Sequence, residues 1–216
     1  MIHVYCMPGM AAGPAIFEYI KLPKENFELH LLEWSIPTKG VSLSEYAKQM
    51  SSMVKHENVV LLGVSLGGIL VQEMTKFVDV RKVIIVSSVK TRYELPKRML
   101  FARYTKVHKL LPTGLVNNIE LLAKYAFGES VTKRLSLYEK YLSVRDKGYI
   151  DWSINELVNW KQEIPCKKLV HIQGEKDTVF PKENITDCIV VPNGTHTMII
   201  HRAKWFNQNL ATIILE

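Results

Sequence analysis

Short apolar runs alternate along most of the chain with longer segments in which apolar residues recur every three or four positions. Continuous apolar runs such as "NVVLLGV" are typical of strands buried on both faces of a sheet, whereas the spaced pattern is typical of helices. The runs predict strands at residues 2–6, 27–34, 58–64, 82–88, 167–174 and 187–192. The spaced pattern predicts helices at residues 42–54, 67–78 and 198–215.

The pattern changes between residues 91 and 160, where no strong strand run occurs and helical periodicity prevails. Strand–helix alternation elsewhere predicts an α/β fold, with a mostly parallel sheet of about six strands and helices on both faces. The carboxyl ends of such strands share one edge, where parallel sheets bind ligands. We therefore predict a core formed by residues 1–90 and 161–216, and a helical cap over that edge formed by residues 91–160.

Composition is that of a soluble globular protein. The 216 residues are 47% hydrophobic and 23% charged, which suits one α/β domain with an insertion. Cys6, Cys166 and Cys188 fit no zinc-site spacing, so we expect free thiols and a reducing compartment. No targeting segment is visible, and the apolar runs are far shorter than the roughly 20 residues of a membrane span. We expect a cytoplasmic protein without a membrane partner.

The formal net charge of +7 raises the question of an anionic partner. Lysine and arginine are scattered and never form a run of five, which favours a solvated basic surface. We therefore expect no nucleic-acid partner.

A candidate nucleophile lies in "GVSLGG", directly after the predicted strand at 58–64 and before a predicted helix. Gly63, Ser65 and Gly67 match the pattern G-x-S-x-G, in which a serine occupies a sharp turn from strand to helix. The small flanking residues allow the turn to close, and the free amides of the following helix favour an anion there. In this setting Ser65 is interpreted as a nucleophile rather than a packing residue.

A serine nucleophile needs a base, and His196 is the candidate among seven histidines. It lies in "PNGTHTMII", a loop between the last predicted strand and the last helix, which opens at the same sheet edge as Ser65. Three of the others lie in strand-like runs: His3, His30 and His171. His201 lies in the last predicted helix, and His56 and His108 are predicted to lie at the surface.

The base needs a carboxylate that orients it, and two candidates follow the predicted strand at 167–174 in "GEKDTVFP". Asp177 lies three residues past Gly174, whereas Glu175 is closer to the strand end and can face solvent or the cap. We favour Asp177 and keep Glu175 as the alternative. The order of Ser65, Asp177 and His196 is the nucleophile–acid–base order of the α/β-hydrolases.

With these motifs the chain resembles a small, capped α/β-hydrolase over residues 2–90 and 165–216. "GVSLGG" is similar to the nucleophile elbow, "GEKDTVFP" to the acid loop and "GTHTM" to the histidine loop. The resemblance implies that the backbone N–H groups of Leu66 and Met10 form the oxyanion hole. The chain departs from the family in starting at what would be its third strand, so we expect a core that lacks the family's first antiparallel hairpin. Pro8 departs from the family, which usually has a histidine before the glycine of this loop.

The predicted cap holds ten of the chain's twenty aromatic residues, and 12 Lys and Arg against 7 Asp and Glu. The aromatic side chains can line an acyl pocket beneath a basic rim, or they can pack the helices together while the charges face water. Candidates for a pocket are Phe101, Tyr104, Tyr125 and Trp152.

The sequence thus predicts a serine hydrolase for a small ester or thioester, acting without a metal or organic cofactor on a small-molecule acyl substrate. The same catalytic residues support C–C bond hydrolysis, lyase chemistry or acyl transfer, and the fold does not choose among these. A ligand-binding protein without catalysis is a further alternative, for which a damaged set of catalytic residues is expected.

Overall fold

The computed structural model describes residues 1–106 and 140–216. The strands are β1 (Ile2–Met7), β2 (Phe27–Leu31), β3 (Val59–Val64), β4 (Lys82–Val86), β5 (Leu169–Gly174) and β6 (Ile189–Val191). The helices within the described residues are α1 (Leu43–Ser51), α2 (Leu66–Met74), α3 (Lys97–Thr105), α4 (Lys147–Asn159), α5 (Met198–His201) and α6 (Ala203–Leu215).

The six strands form one sheet in the order β2-β1-β3-β4-β5-β6, and every neighbouring pair is parallel. This confirms the predicted α/β fold with a parallel six-stranded sheet. The chain runs from β1 to β2 on one side and then returns to β3 on the other side of β1. The strand order therefore reverses between β1 and β3, and parallel sheets bind ligands beyond the carboxyl ends of strands at such a point.

Central strands carry the core. All six residues of β3 are buried, as are the last four of β4, so both faces of the sheet are covered at its centre. The edge strands β2 and β6 keep exposed positions. The start of α1 follows the predicted capping box, in which Ser42 Oγ accepts from the Glu45 amide and Glu45 Oε2 accepts from the Ser42 amide.

Strand β2 and the terminal helix differ from the sequence prediction at points where tertiary hydrogen bonds intervene. Strand β2 ends at Leu31, and beyond it the Trp34 indole donates to the carbonyls of Pro8 (3.1 Å) and Gly9 (2.9 Å). The terminal helix is divided at Arg202, whose φ of −114° leaves the helical range. The Arg202 guanidinium there donates to the carbonyl oxygen of Asn193, at 3.2 Å.

The predicted cap segment is described at its two ends, where α3 and α4 are helical as expected. Its returning chain is attached to the loop after β1, since the Gly13 amide donates to the Tyr141 carbonyl (2.8 Å) and the Val144 amide to the Ala11 carbonyl (3.1 Å). The boundaries of the cap stay a prediction.

All three cysteines are free thiols, as expected. Burial raises the pKa of the Cys6 thiol to about 12. None of the helices in residues 1–106 and 140–216 is long and apolar enough to cross a lipid bilayer.

Candidate active site

Ser65 occupies the turn between β3 and α2 in a backbone conformation that non-glycine residues rarely adopt. Its φ is 54° and its ψ is −120°. Strain of this kind costs about 1–3 kcal/mol and persists only where the surroundings impose it. Here the Ser65 amide donates to the Val86 carbonyl (2.9 Å), and the Ser88 hydroxyl donates to the Ser65 carbonyl (2.7 Å). Both bonds tie the turn to β4 and the segment after it.

The glycines on either side of Ser65 are required by close backbone packing. A Cβ atom on Gly63 would lie 2.3 Å from the Gly67 carbonyl oxygen. One on Gly67 would lie 2.3 Å from the Pro8 carbonyl oxygen and 2.6 Å from that of Met7. The elbow is thus pressed against the end of β1, which brings the loop after β1 beside Ser65.

His196 reaches Ser65 from the loop between β6 and α5. Its Nε2 lies 3.0 Å from Ser65 Oγ, although 131 positions separate the two residues in the chain. The His196 side chain is buried, with 2% of its surface exposed. The Phe180 ring packs edge-on against the imidazole, at 5.6 Å between centroids. This arrangement places an imidazole nitrogen where it can accept the serine proton.

Asp177 binds the other side of the imidazole. His196 Nδ1 lies 2.9 Å from Asp177 Oδ2 and 3.1 Å from Oδ1. The amides of Val179 (2.8 Å) and Phe180 (3.0 Å) donate to Oδ1, and the Gln173 amide group donates to Oδ2 (3.1 Å). These hydrogen bonds hold both oxygens of the buried carboxylate in place against the imidazole.

These contacts decide the charge of Asp177. Burial alone would raise its pKa, but the attraction and hydrogen bond of His196, with the amides of Phe180 and Val179, hold the pKa below its ordinary value. The carboxylate therefore stays ionised near neutral pH, which is the form that orients an imidazole and stabilises its cation.

Glu175, the alternative acid, lies elsewhere. Its side chain is exposed, and its Oε2 accepts a hydrogen bond from the Asn193 amide at 2.8 Å. It thereby joins the acid loop to the histidine loop, as does the Lys176 amide, which donates to the Gly194 carbonyl at 2.7 Å. The carboxylate in contact with His196 is that of Asp177.

Two residues behind Asp177 were not singled out from the sequence as part of the site. Gln173, within β5, donates to Asp177 Oδ2 and to the Phe180 carbonyl (2.7 Å). His171 Nε2 lies 3.1 Å from Gln173 Oε1. Both side chains are buried, and they extend the hydrogen-bonded chain from the sheet interior to Ser65. Burial lowers the pKa of His171 to about 4, although its bond to Gln173 opposes this.

The lowered pKa of His171 predicts that the free energy of unfolding decreases on mild acidification. Its folded pKa of about 4 lies below the unfolded value of about 6.5, so between these values the unfolded chain binds the extra proton. Stability therefore falls as pH decreases through this window, by about 2 kcal/mol between pH 7 and pH 5. Urea unfolding at both values measures it. His171→Gln is expected to remove most of the change, whereas the exposed His201→Gln keeps it; an equal change in both variants would contradict the assignment.

The two expected oxyanion donors belong to the residue after Ser65 and to the loop after β1. Leu66 begins α2, so its N–H has no acceptor within the helix, and neither it nor the Met10 N–H has a hydrogen-bond acceptor in the described part of the chain. Met10 lies in a turn in which the Ala12 amide donates to the Gly9 carbonyl (3.1 Å). A Cβ atom on Gly9 would lie 3.4 Å from Ser65 Cβ, so this turn borders the serine directly.

The aromatic residues proposed for a substrate pocket have different surroundings. Trp152 packs in a cluster with Trp34, Tyr46 and Tyr149, at centroid distances of 4.9–6.3 Å, and its indole donates to the Val41 carbonyl. The Tyr149 hydroxyl accepts a hydrogen bond from the Ala11 amide, so the cluster contacts the loop after β1 and holds it in place. Phe101 and Tyr104 are exposed on α3, and Tyr125 lies outside the described residues.

Neither the models of protein families nor the curated proteins match the sequence. Solved structures do match the fold. A hydrolase from Oleispira antarctica superimposes with a TM-score of 0.71 at 13% identity, over 100% of this chain and 92% of that one. A thermophilic esterase from Thermogutta terrifontis gives 0.69 at 12%, over 99% and 90%. A bromoperoxidase from Bacillus anthracis gives 0.69 at 17%, over 100% and 92%. At these identities the likeness concerns the fold, and the chemistry has to be argued from the residues.

Proposed function

We propose that this chain, which has the α/β-hydrolase fold, is a serine hydrolase that cleaves a small ester or thioester through Ser65, His196 and Asp177. One observation carries the proposal. An unbroken chain of contacts runs from Ser65 Oγ through both nitrogens of His196 to the buried carboxylate of Asp177, with distances of 3.0 Å and 2.9 Å. Nucleophilic catalysis by serine needs this combination of groups.

The first half-reaction forms an acyl-enzyme. Ser65 Oγ attacks the carbonyl carbon of the substrate while its proton passes to His196 Nε2. The carbonyl oxygen becomes an oxyanion, which accepts hydrogen bonds from the N–H groups of Leu66 and Met10. The bond to the leaving group then breaks, and His196 returns the proton to the departing alcohol or thiol.

The second half-reaction repeats these steps with water. His196 removes a proton from water, the resulting hydroxide attacks the acyl carbon, and the oxyanion is held by the same two amides. The bond between the acyl carbon and Ser65 Oγ then breaks, and Oγ takes a proton back from His196. Throughout, Asp177 keeps the proton of neutral His196 on Nδ1 and stabilises the imidazolium. All steps use side chains and amides of this chain.

The names of several structural neighbours agree with this reaction, since they include esterases and carboxylesterases. Others are bromoperoxidases, so the neighbours do not choose a substrate. The pocket that would select the acyl group is expected within residues 91–160.

A fluorophosphonate probe tests the proposal, since an activated serine displaces its fluoride and becomes phosphonylated. Wild-type protein is expected to be labelled stoichiometrically, and Ser65→Ala not at all. Ser52→Ala is the matched control, because the Ser52 hydroxyl lies at the exposed end of α1 and donates to the Gln49 carbonyl; this variant should still be labelled. Labelling that persists in Ser65→Ala would remove Ser65 as the nucleophile, and an unlabelled wild type would favour a binding protein.

A panel of p-nitrophenyl esters and thioesters of increasing acyl length then defines the substrate. Turnover of these compounds supports hydrolysis. A labelled enzyme that turns over none of them would point instead to C–C hydrolysis, lyase chemistry or acyl transfer at the same serine.

A further inference from the structure

A second group of chemically active side chains lies on β1 and β2, apart from Ser65. Parallel pairing places His3 opposite Glu28 and Tyr5 opposite His30. Side chains two residues apart share a face of a strand, so all four project from the same face of the sheet. His56 reaches this face from the loop between α1 and β3. The proposed reaction uses none of these residues.

The polar atoms of this cluster converge on one point. His3 Nδ1 lies 3.0 Å from His30 Nε2 and 3.2 Å from Glu28 Oε2, and the last two atoms are 3.8 Å apart. Ligands about 2.0–2.1 Å from a tetrahedral zinc ion are separated from one another by roughly 3.3 Å. The three observed separations bracket that value. A ring nitrogen of each of the three histidines lies within 4.8 Å of the others.

We propose that His3, His30, His56 and Glu28 form a binding site for a single divalent late transition-metal ion, with Zn²⁺ as the probe. Three imidazoles and one carboxylate are a ligand set that such ions prefer, whereas Mg²⁺ and Ca²⁺ prefer oxygen ligands alone. On binding, the ion takes the position of the proton that His3 Nδ1 and His30 Nε2 share, and the ring that carried this proton takes one up on its other nitrogen, so that both imidazoles stay neutral.

His56 completes the site by a change of side-chain torsion. Its ring stacks on that of His3, with 3.8 Å between centroids and 5° between planes. Two parallel stacked rings cannot both direct a nitrogen at one ion between them, so His56 turns when the ion binds. It is exposed, which leaves room for the turn. The Tyr5 hydroxyl lies 2.7 Å from His56 Nδ1 in the present orientation of the ring, so the turn exchanges this hydrogen bond for the bond to the ion.

The chemistry of the cluster also suits a metal, since a neutral imidazole is a common ligand of such ions. The Glu28 side chain is half exposed, which gives the ion an entry path from solvent.

The position of the site indicates a structural role. It joins the edge strand β2 to β1 and to the loop before β3. His3 lies four residues before the carboxyl end of β1, roughly 13 Å along the strand from the edge that carries Ser65. Metal binding is therefore expected to stabilise the fold without entering the reaction, and the inference does not depend on the proposed function.

Zn²⁺ titration of chelator-treated full-length protein tests the site, followed by calorimetry and thermal unfolding. We expect one equivalent of Zn²⁺ to bind. A 100-fold excess of free Zn²⁺ over the dissociation constant is expected to raise Tm by about 5–10 °C. Co²⁺ is expected to give the intense visible absorption bands of a tetrahedral site. Absence of stoichiometric binding by wild-type protein would overturn the proposal.

Matched variants locate the ion. His3→Gln and His30→Gln are expected to weaken Zn²⁺ binding at least 10- to 100-fold, the loss that even an outer-shell change causes. His201→Gln, at an exposed histidine of α5, and Ser65→Ala are expected to bind as the wild type does. If the histidine variants fold poorly, Glu28→Gln tests the same site, because it removes a ligand at a half-exposed position and is also expected to weaken Zn²⁺ binding. Unchanged affinity in His3→Gln, or equal loss in His201→Gln, would contradict the ligand set.

Discussion

Replacing Asp177 with asparagine is expected to lower kcat by about 10⁴ with a small change in KM. The reason lies in the hydrogen bonds of the buried carboxylate. Its Oδ1 accepts two backbone amides, so the asparagine oxygen is expected to take that place and its NH₂ group to replace Oδ2. That NH₂ group then faces His196 Nδ1 and makes it an acceptor. The imidazole proton moves to Nε2, where it prevents His196 from accepting the Ser65 proton.

The same change is expected to leave the protein folded. The new NH₂ group also meets the Gln173 Nε2 donor, whose direction is held by the Phe180 carbonyl, and such a mismatch costs about 1–3 kcal/mol. Steady-state kinetics with the best p-nitrophenyl ester, beside a thermal unfolding curve, separates the two effects. Glu175→Gln is the matched control, since the Glu175 carboxylate accepts from the Asn193 amide and does not contact His196. This substitution is expected to change kcat less than threefold. A 10⁴-fold loss in Glu175→Gln, with normal turnover in Asp177→Asn, would reassign the acid.

The sequence predicts the positions of Ser65, Asp177 and His196 because each lies in a loop after a recognisable strand. Parallel strands bring such loops to one edge, so their order along the chain is informative before any distance is known. Gln173 has no such signal. It lies inside a predicted strand, and its role depends on which face of β5 points toward Asp177, which is a tertiary property.

The histidine cluster illustrates the same limit. The spacing of His3 with Tyr5, and of Glu28 with His30, is visible in the sequence as residues two apart on strand-like segments. Which residue of β1 lies opposite which residue of β2 is set by register, and a shift of one residue would send one pair to the other face. The sequence predicts a surface position for His56, which is exposed. It does not show the partners of His56, because these lie on strands that are distant in the chain.

The end of β2 shows where tertiary packing overrides the local sequence pattern. The apolar pattern continues to Trp34, but the Trp34 indole binds the carbonyls of Pro8 and Gly9, and the strand stops at Leu31. These carbonyls belong to the loop that borders Ser65. A side chain that appears to extend a strand therefore helps to hold the loop that carries Met10.

Replacing Gly67 with alanine is expected to destabilise the protein by about 3 kcal/mol or more, which lowers Tm by roughly 6–12 °C. The added Cβ would lie 2.3 Å from the Pro8 carbonyl oxygen and 2.6 Å from that of Met7. Both are backbone atoms at the end of β1, so neither can move aside as a flexible side chain does. The end of β1 and the first turn of α2 have to separate.

That separation is expected to reach the active site. The strained turn at Ser65 persists because its surroundings impose it, and the loop after β1 carries Met10. Any folded Gly67→Ala protein should therefore also react slowly with the fluorophosphonate probe. Gly148→Ala is the control: its added Cβ would meet only the Asp146 side chain, at 3.2 Å, near the start of α4, and alanine is the better helix former. Differential scanning calorimetry should find Gly148→Ala within about 1 kcal/mol of wild type. Wild-type stability and labelling in Gly67→Ala would show that the elbow does not depend on the close contact between α2 and β1.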